Sequence, residues 1–249
     1  MKKTTIDLNA DLGEGCDDAA IMASISSANI ACGGHTGDAA SMREALLLAG
    51  EHSVAAGAHP SYPDRDGFGR RPCEIDAGAL KSSLTRQVET LLSIAEDVGV
   101  QITHVKPHGA LYNDAQRDMA RAMVVAKIVK DLLPDGRLVG PPTGAPMKCA
   151  AQLGLHYLTE GFADRRYLED GALAPRSMPD AVIIDEAEQV KQVLQIVREG
   201  KVLSSSGRSI ELGVDTICLH GDTPAAARSA QVIRRALEEA GVTIAAAAT

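Results

Sequence analysis

Short runs of apolar and β-branched residues alternate along this chain with longer segments of helical period. TTIDLN, VAAGAH, RLVGPP and DTICLH are such short runs, and a helical segment follows each of them. Strands that alternate with helices indicate βα units around a parallel sheet. Because seven or eight units follow one another without a linker, the sequence predicts one α/β domain over residues 1–249. A closed or distorted (β/α) barrel is favoured over a doubly wound open sheet.

Local signals set several element boundaries. Asp38 is predicted to cap the helix that follows GGHTGD, and Gly99 is predicted to end the next long helix. A single helix is predicted over DAQRDMARAMVVAKIVKDLL, with Pro134 ending it. KVLSSSGRSIELG predicts a hairpin that turns at Ser206 and Gly207.

The charge balance and the cysteines limit the class of protein. The chain has 33 acidic and 25 basic residues and a formal net charge of -8, so nucleic acid is not expected as a partner. Five cysteines without a C-x-x-C pair predict reduced thiols. MKKTTIDLNA lacks the apolar region of a signal peptide, and no run is long enough to span a bilayer. We therefore expect a cytoplasmic protein without a membrane partner.

Rare or reactive residues collect directly after the predicted strands. They are Asp11 and Glu14 after the first strand, His35, His59 and His108 after the next three, Arg165 and Arg166 after the strand that ends at Glu160, and His220 and Asp222 after the last. In a parallel barrel the carboxyl ends of all strands open at one mouth, where active sites form. The sequence therefore predicts a site built from residues that are distant along the chain.

The densest of these segments is HVKPHGALYN. His104, Lys106 and His108 alternate with Val105 and Pro107, and a period of two places the three polar side chains on one face of a strand. That strand runs into the mouth, so all three side chains are expected to face the barrel lumen.

A lysine in a barrel lumen is costly unless it is paired or used. We expect Lys106 to hold a carboxylate or phosphate group, or to act as an acid or base with a lowered pKa. The alternative is a structural ion pair between Lys106 and Asp11 or Glu14.

Most of the few aromatic residues also fall in the loops at the mouth. The five of the six that do so are Tyr62, Phe68, Tyr112, Phe162 and Tyr167. Aromatic side chains at such positions predict the walls of a pocket for a small ligand. The alternative is that they cover the core.

The adjacent Arg70 and Arg71 lie in the same loop as His59, which suits an anionic substrate group. A solvated basic turn is the alternative for this loop.

The sequence also leaves a metal site as an alternative. Asp11, His35, His59, His108 and His220 include carboxylate and imidazole ligands that suit a divalent ion, but no H-E-x-x-H or other compact ligand spacing occurs. The chain also has no G-x-x-x-x-G-K-[ST] phosphate loop, no complete dinucleotide loop and no G-x-S-x-G nucleophile motif. A serine hydrolase is therefore disfavoured.

Seven blocks of this sequence resemble one family. They are DLNADLGE, NIACGGHTGD, GAHPSYPDRDGFGRR, HVKPHGALYN, EGFADRRY, LAPRS and CLHGDTP. Their order and spread over nearly the whole chain resemble the LamB/YcsF family, the A subunits of 5-oxoprolinase. The resemblance implies a distorted (β/α) barrel similar to those of glycoside hydrolases and polysaccharide deacetylases.

The resemblance also implies an activity. Family members are expected to open 5-oxoproline (pyroglutamate) to L-glutamate with release of ADP and phosphate, together with partner subunits B and C. ATP, with Mg²⁺ as its counterion, is the implied cofactor, because a lactam is a resonance-stabilised amide that phosphorylation of its carbonyl oxygen would activate.

Combining the resemblance with the positions at the mouth gives two groups of site residues. Proton transfer and positioning are assigned to Asp11, His59, Lys106, His108 and Asp222. Binding of the substrate or a phosphate is assigned to Asn9, Glu14, His35, Arg70, Arg71, Tyr112, Asn113, Glu160, Arg165, Arg166, Arg176 and His220.

The loop GEGCDDAAIMASISSANIACGGH is shorter than in many members of the family and has no aromatic residue. Many members also carry a Phe-His pair where Gly34 and His35 stand. These differences put the substrate specificity of this chain in question.

Two other functions stay open: a stand-alone, metal-dependent deacetylase or amidohydrolase, and a non-catalytic subunit that binds substrate for its partners. The sequence also leaves open whether the chain forms a homo-oligomer and which subunit binds ATP.

Overall fold

A computed structural model of the protein describes residues 4–15, 17–220 and 226–247. Ten strands occur in these ranges: β1 (Thr5–Leu12), β2 (Ser27–Ala31), β3 (Ala55–His59), β4 (Ile102–Val105), β5 (Arg137–Gly140), β6 (His156–Phe162), β7 (Lys201–Leu203), β8 (Ser209–Glu211), β9 (Thr216–His220) and β10 (Thr243–Ile244). The helices there are α1 (Asp18–Met22), α2 (Ala39–Glu51), α3 (Ala77–Val98), α4 (Gly109–Arg117), α5 (Met119–Leu132), α6 (Ala145–Leu153), α7 (Glu186–Glu199) and α8 (Ala226–Glu239).

Seven parallel strands close into a barrel in the order β1, β2, β3, β4, β5, β6, β9, and β9 pairs again with β1. Helices connect most of the neighbouring strands, so the predicted distorted (β/α) barrel is confirmed. Outside the closed ring, β10 adds to the edge of β1 in parallel, with Thr5 opposite Thr243. The predicted hairpin is also confirmed, because β7 and β8 pair antiparallel and Gly207 turns the chain at a φ of 82°.

Capping residues fix the helix boundaries. The Asp38 carboxylate accepts hydrogen bonds from the backbone of Ala40 and Ser41 and begins α2, and Gly99 ends α3 in the left-handed conformation, as predicted. The single helix predicted over DAQRDMARAMVVAKIVKDLL is wrong. Two helices occupy this segment, because Asp118 takes an extended conformation between them and caps the second.

The lumen of the barrel is polar. Along β1, Leu8 and Ala10 pack in the core, whereas Asp7, Asn9 and Asp11 hydrogen-bond to side chains of the neighbouring strands β2 and β9. Every residue of β1 from Ile6 onward is buried, so the alternation separates a packed outer side from a hydrogen-bonded inner side. These bonds give the buried polar side chains of β1 their hydrogen-bond partners.

Within the described ranges, no helix has both the length and the apolar character needed to cross a bilayer. Four cysteines, Cys32, Cys73, Cys149 and Cys218, are free thiols there, and Cys16 lies outside the described residues.

A substitution at Gly109 tests the close approach of two backbone segments at the start of α4. The φ of Gly109 is 57°, and an added Cβ would lie 2.5 Å from the carbonyl oxygen of Gly69. Gly109→Ala is therefore expected to lower the free energy of unfolding by more than the roughly 1–2 kcal/mol that a left-handed alanine costs by itself. Urea denaturation measures this difference.

Gly154→Ala is the matched control, because Gly154 has a φ of 65° but open space around its Cβ position. Equal losses in the two variants would contradict the close approach of Gly69 to Gly109.

Candidate active site

A cleft of about 910 Å³ opens at the carboxyl ends of the barrel strands. Asp11, His59, Lys106 and His108 line its floor and one wall, and side chains from α4 and from the loop after β6 complete it. The convergence predicted for residues that follow different strands is therefore seen in space. The volume suits a small-molecule ligand.

Lys106 is the charged centre of the floor. Its Nζ lies 2.8 Å from Asp11 Oδ1 and 2.9 Å from Glu160 Oε1, and it also donates to Asn9 Oδ1 and Cys218 Sγ. The side chain is only 2% exposed, so burial would lower its pKa. The nearby negative groups, Asp11 first, outweigh burial and raise the pKa of Lys106 well above its ordinary value.

The lowered pKa considered for Lys106 is therefore wrong, and the residue is a permanent ammonium at neutral pH. An ion pair with Asp11 is present, but the second carboxylate is Glu160 and not Glu14. Lys106 also lines the cleft, so structural pairing and contact with a ligand are compatible.

Two polar atoms beside this centre lack partners. The Tyr112 hydroxyl and Glu160 Oε2 are buried without a hydrogen bond to any described part of the chain. Burial and the Glu160 carboxylate raise the pKa of Tyr112 well above its ordinary value, so its hydroxyl stays protonated. Tyr112 lines the cleft, and its buried hydroxyl lies close enough to the Glu160 carboxylate for that group to raise its pKa.

A cluster of three histidines surrounds Glu14. His35 Nε2 lies 2.9 Å from Glu14 Oε1, His108 Nδ1 lies 3.3 Å from the same oxygen, and the His35 and His108 rings stack with centroids 3.7 Å apart. Burial opposes ionisation of Glu14, but the imidazoles of His108 and His35 beside its carboxylate hold the pKa of Glu14 well below its usual range. Burial lowers the pKa of His35 to about 4 and also lowers that of His108.

Arg165 is the buried cation of the opposite wall. Its Nη2 donates to the Ala174 carbonyl, while its Nε is buried without a hydrogen bond to the described residues. Burial, and then the charge of Arg176, lower the pKa of Arg165 to about 10, which leaves it charged at neutral pH. Arg70 and Arg176 also line the cleft as exposed residues. Arg117 and Arg121, which pair with Asp170 and Asp118, line it as well. Five arginines therefore surround the space that an incoming anion would enter.

The other two predicted arginines do not line the cleft. Arg71 pairs with Asp64 on the surface, and Arg166 pairs with Glu188. A double-arginine motif places one guanidinium in the cleft and its neighbour elsewhere, which the sequence does not reveal.

Only part of the predicted aromatic wall is present. Tyr112 and Phe162 line the cleft, and Phe68 lies edge-on against His35 and His108. Tyr62 and Tyr167 are fully buried, and their hydroxyls bond to other parts of the chain, so the alternative of aromatics that cover the core holds for these two.

The remaining predicted residues have mixed positions. Asn113 is exposed on the cleft, and Asn9 lies below it, where it bonds to Glu160. The His220 backbone pairs opposite Asp11, and Asp222 lies outside the described residues.

Sequence reasoning missed Asn29, Cys218 and Arg121. Asn29 donates to Asp11 Oδ1, Cys218 Sγ lies 3.0 Å from Lys106 Nζ, and Arg121 lines the cleft from α5. A lone asparagine inside the apolar strand SANIA is a signal for the lumen, because a buried amide requires partners. Arg121, on a helix rich in basic residues, carries no such signal.

The fold belongs to the class of barrels found in polysaccharide deacetylases. A structure of the peptidoglycan deacetylase PdaC from Bacillus subtilis superposes with a TM-score of 0.53 at 12% identity, over 98% of this chain and 87% of that chain. At this identity the likeness concerns the fold alone.

Closer relatives define the family. A family model described as the LamB/YcsF family matches residues 6–249. Several relatives are named as the A subunits of 5-oxoprolinase, and the one from Chloroflexus aggregans is 46% identical over 246 residues, which cover 96% of this chain and 98% of that protein. The lactam utilization protein from Thermus thermophilus, a crystal structure, is 40% identical with a TM-score of 0.91, over 98% of this chain and all of that one. The chain belongs to the LamB/YcsF family.

The buried His104 makes stability depend on pH. Burial, and then the charges of Lys106 and Arg137, lower the pKa of His104 to about 3. The unfolded chain binds a proton at this residue below about pH 6.5, whereas the folded chain does not, so stability falls as the pH falls. From about pH 7 to about pH 5, His104 alone is expected to remove on the order of 2 kcal/mol from the free energy of unfolding.

Urea denaturation at the two pH values measures this loss. His104→Gln should reduce the dependence on pH, whereas His156→Gln, which changes an exposed histidine outside the cleft, should keep it. An unchanged dependence in His104→Gln would contradict the assignment.

Proposed function

We propose that this chain functions as the A subunits of 5-oxoprolinase do, and that its cleft is where the lactam ring of 5-oxoproline is opened to L-glutamate. The assembled enzyme, with subunits B and C, couples this step to conversion of ATP to ADP and phosphate in the cytoplasm. The observation that carries the proposal is the buried Lys106 ammonium on the floor of a cleft whose other wall holds Arg165. The name of the Chloroflexus aggregans relative supports it.

The chemistry requires three things of the site. The amide carbonyl of a lactam is stabilised by resonance, so it needs activation before water can attack, and phosphorylation of its oxygen by Mg-ATP supplies that. The site must then bind the substrate carboxylate, stabilise the negative charge that develops on the carbonyl oxygen, and move protons between water and the ring nitrogen.

Lys106 is suited to charge stabilisation. Asp11 and Glu160 hold the ammonium in one position, and the surrounding protein excludes water from it. A fixed positive charge in such a site stabilises a developing oxyanion without reorganisation. In our proposal the activated carbonyl oxygen, or the phosphate on it, lies against Lys106.

The arginines are suited to the substrate carboxylate. Arg165 keeps a buried Nε without a described partner, and Arg70 and Arg176 lie exposed along the same cleft. A carboxylate on this side would place the ring nitrogen within the cleft between the arginines and the histidine wall. The Tyr112 hydroxyl is the group we assign to hydrogen bonding with the ring.

Proton transfer is assigned to the wall that carries Asp11 and His59. His59 Nε2 lies 3.3 Å from Asp11 Oδ2, and both residues line the cleft. Either can accept a proton from attacking water.

The decisive experiment measures glutamate and phosphate release from 5-oxoproline and Mg-ATP, first with this chain alone and then with its B and C subunits. Release of both products in equal amounts, only when all three subunits are present, is the expected result. Lactam or amide hydrolysis by the isolated chain without ATP would favour a stand-alone amidohydrolase instead. Absence of release by a complex that contains all three subunits would contradict the proposal.

Lys106 gives a sharper test of the cleft. Replacing Lys106 alone would leave Asp11 and Glu160 unpaired in the lumen and destabilise the fold by about 3–5 kcal/mol. The double variant Lys106→Met with Glu160→Gln removes the ammonium and one of its two carboxylates, while Asp11 keeps its hydrogen bond from Asn29 and its contact with His59. This variant is expected to stay folded while kcat falls by about 100-fold or more. Glutamate release and the thermal midpoint are measured together.

Lys81→Met is the matched control, since Lys81 pairs with Asp131 on the surface. It should leave kcat unchanged. A folded double variant with near wild-type kcat would remove Lys106 from the mechanism.

A further inference from the structure

Two imidazoles of the histidine cluster face each other through nitrogens that carry no hydrogen. His59 Nδ1 lies 2.7 Å from the carbonyl oxygen of Lys106, and His108 Nε2 lies 3.0 Å from that of Phe68. A carbonyl oxygen only accepts hydrogen bonds, so both of these nitrogens are donors. In neutral rings the lone pairs are then on His59 Nε2 and His108 Nδ1, which are only 2.9 Å apart. A cation, either a proton or a metal ion, has to lie between them.

Carboxylate oxygens surround the same point. Glu14 Oε1 lies 3.3 Å from His108 Nδ1 and 3.9 Å from His59 Nε2, and Asp11 Oδ2 lies 3.3 Å from His59 Nε2. Ligand atoms that share one zinc ion at its usual bond lengths are about 3.0–3.6 Å apart. The separations among Glu14 Oε1, His59 Nε2 and His108 Nδ1 are 2.9, 3.3 and 3.9 Å, which lie on both sides of that range and are centred on it. A proton bridges only two atoms, whereas here three ligand atoms surround one centre. The geometry therefore favours a metal ion.

We propose that Glu14, His59 and His108 bind one divalent transition-metal ion, with Zn²⁺ or Co²⁺ the best match to the donors. Two imidazoles and a carboxylate suit such ions better than Mg²⁺ or Ca²⁺, which prefer oxygen ligands. Three protein ligands with an open position are typical of catalytic zinc sites. His59 and His108 line the cleft, so the open position faces the ligand space.

The surroundings hold the ligands as metal sites require. The carbonyls of Lys106 and Phe68 orient the two imidazoles, as backbone carbonyls do for metal-binding histidines. His35 is a positioning residue, because its Nε2 lies 2.9 Å from Glu14 Oε1 and its ring stacks on His108. The ends of β1, β3 and β4 carry the three ligands, so the closed barrel sets their separation.

This site goes beyond the proposed reaction, because an ion can be bound without substrate or partner subunits. If His59 ligates the ion, acceptance of a proton from water passes to Asp11, whose carboxylate lies 3.3 Å from the ligand nitrogen. The proposal of a metal site and the proposal of lactam opening can therefore be contradicted independently of each other.

The experiment uses the full, untagged chain, stripped with a strong chelator and dialysed. ZnCl₂ is titrated by calorimetry, and bound zinc is counted by mass spectrometry after dialysis against excess Mg²⁺. We expect about one zinc ion per chain. We also expect the visible absorption of the Co²⁺ form to indicate a low coordination number with nitrogen ligands. The variant His59→Gln with His108→Gln should bind zinc more than about 100-fold more weakly.

His52→Gln with His156→Gln is the matched control, because both histidines are exposed and lie outside the cleft. It should bind zinc as the wild type does. Circular dichroism establishes that each variant is folded, and X-ray absorption of the wild-type zinc form tests for two imidazole ligands independently of any variant. A folded wild type that binds less than about a tenth of an equivalent, or zinc without imidazole ligands, would overturn the proposal.

Discussion

The buried ion pairs of Lys106 with Asp11 and Glu160 are the constraint on which the inside of this barrel depends. An ammonium that is 2% exposed is tolerated only when negative groups surround it. Those groups come from β1 and β6, which do not pair with each other, so the interaction spans the lumen. Asn9 then links the two sides, because it donates to Glu160 and accepts from Lys106. Charged and hydrogen-bonded side chains therefore occupy lumen positions that apolar side chains fill in most barrels.

This polar lumen continues toward the amino ends of the strands. Asn29 donates to Asp11 and accepts from His104, and Thr216 donates to Asp7 while accepting from Asn9. Hydrogen bonds in a low-dielectric interior strengthen one another and restrict rotamers. The groups on the cleft floor are therefore preorganised before any ligand binds. Such preorganisation is what electrostatic stabilisation of a reaction intermediate requires, since no free energy is then lost in turning the dipoles.

Sequence patterns predicted the barrel and most of the convergence at its mouth. The alternation of strands and helices fixes which residues follow a carboxyl end, and a closed ring of parallel strands brings those ends together, as seen for Asp11, His59 and His108. The predictions that failed concern contacts that no local sequence pattern encodes. Arg71 has a carboxylate partner on the surface and Arg70 faces the cleft, although they are adjacent in sequence. Asp11 is the expected partner of Lys106, whereas its second partner, Glu160, lies far from Asp11 along the chain and is not indicated by any local pattern.

The charged groups around the cleft limit how a ligand can lie in it. Arg165 lies near Arg176, Arg70 stacks over Phe68 beside the histidines, and the Lys106 ammonium is on the floor. A ligand with one carboxylate and one polar carbonyl therefore has a preferred orientation, with the carboxylate toward Arg165 and the carbonyl toward Lys106. The face of the carbonyl left open would then point to Asp11 and the histidines, which are the groups able to hold or deprotonate water. In the barrel class as a whole the same mouth serves different chemistry, so the arrangement of these side chains, and not the fold, defines the reaction.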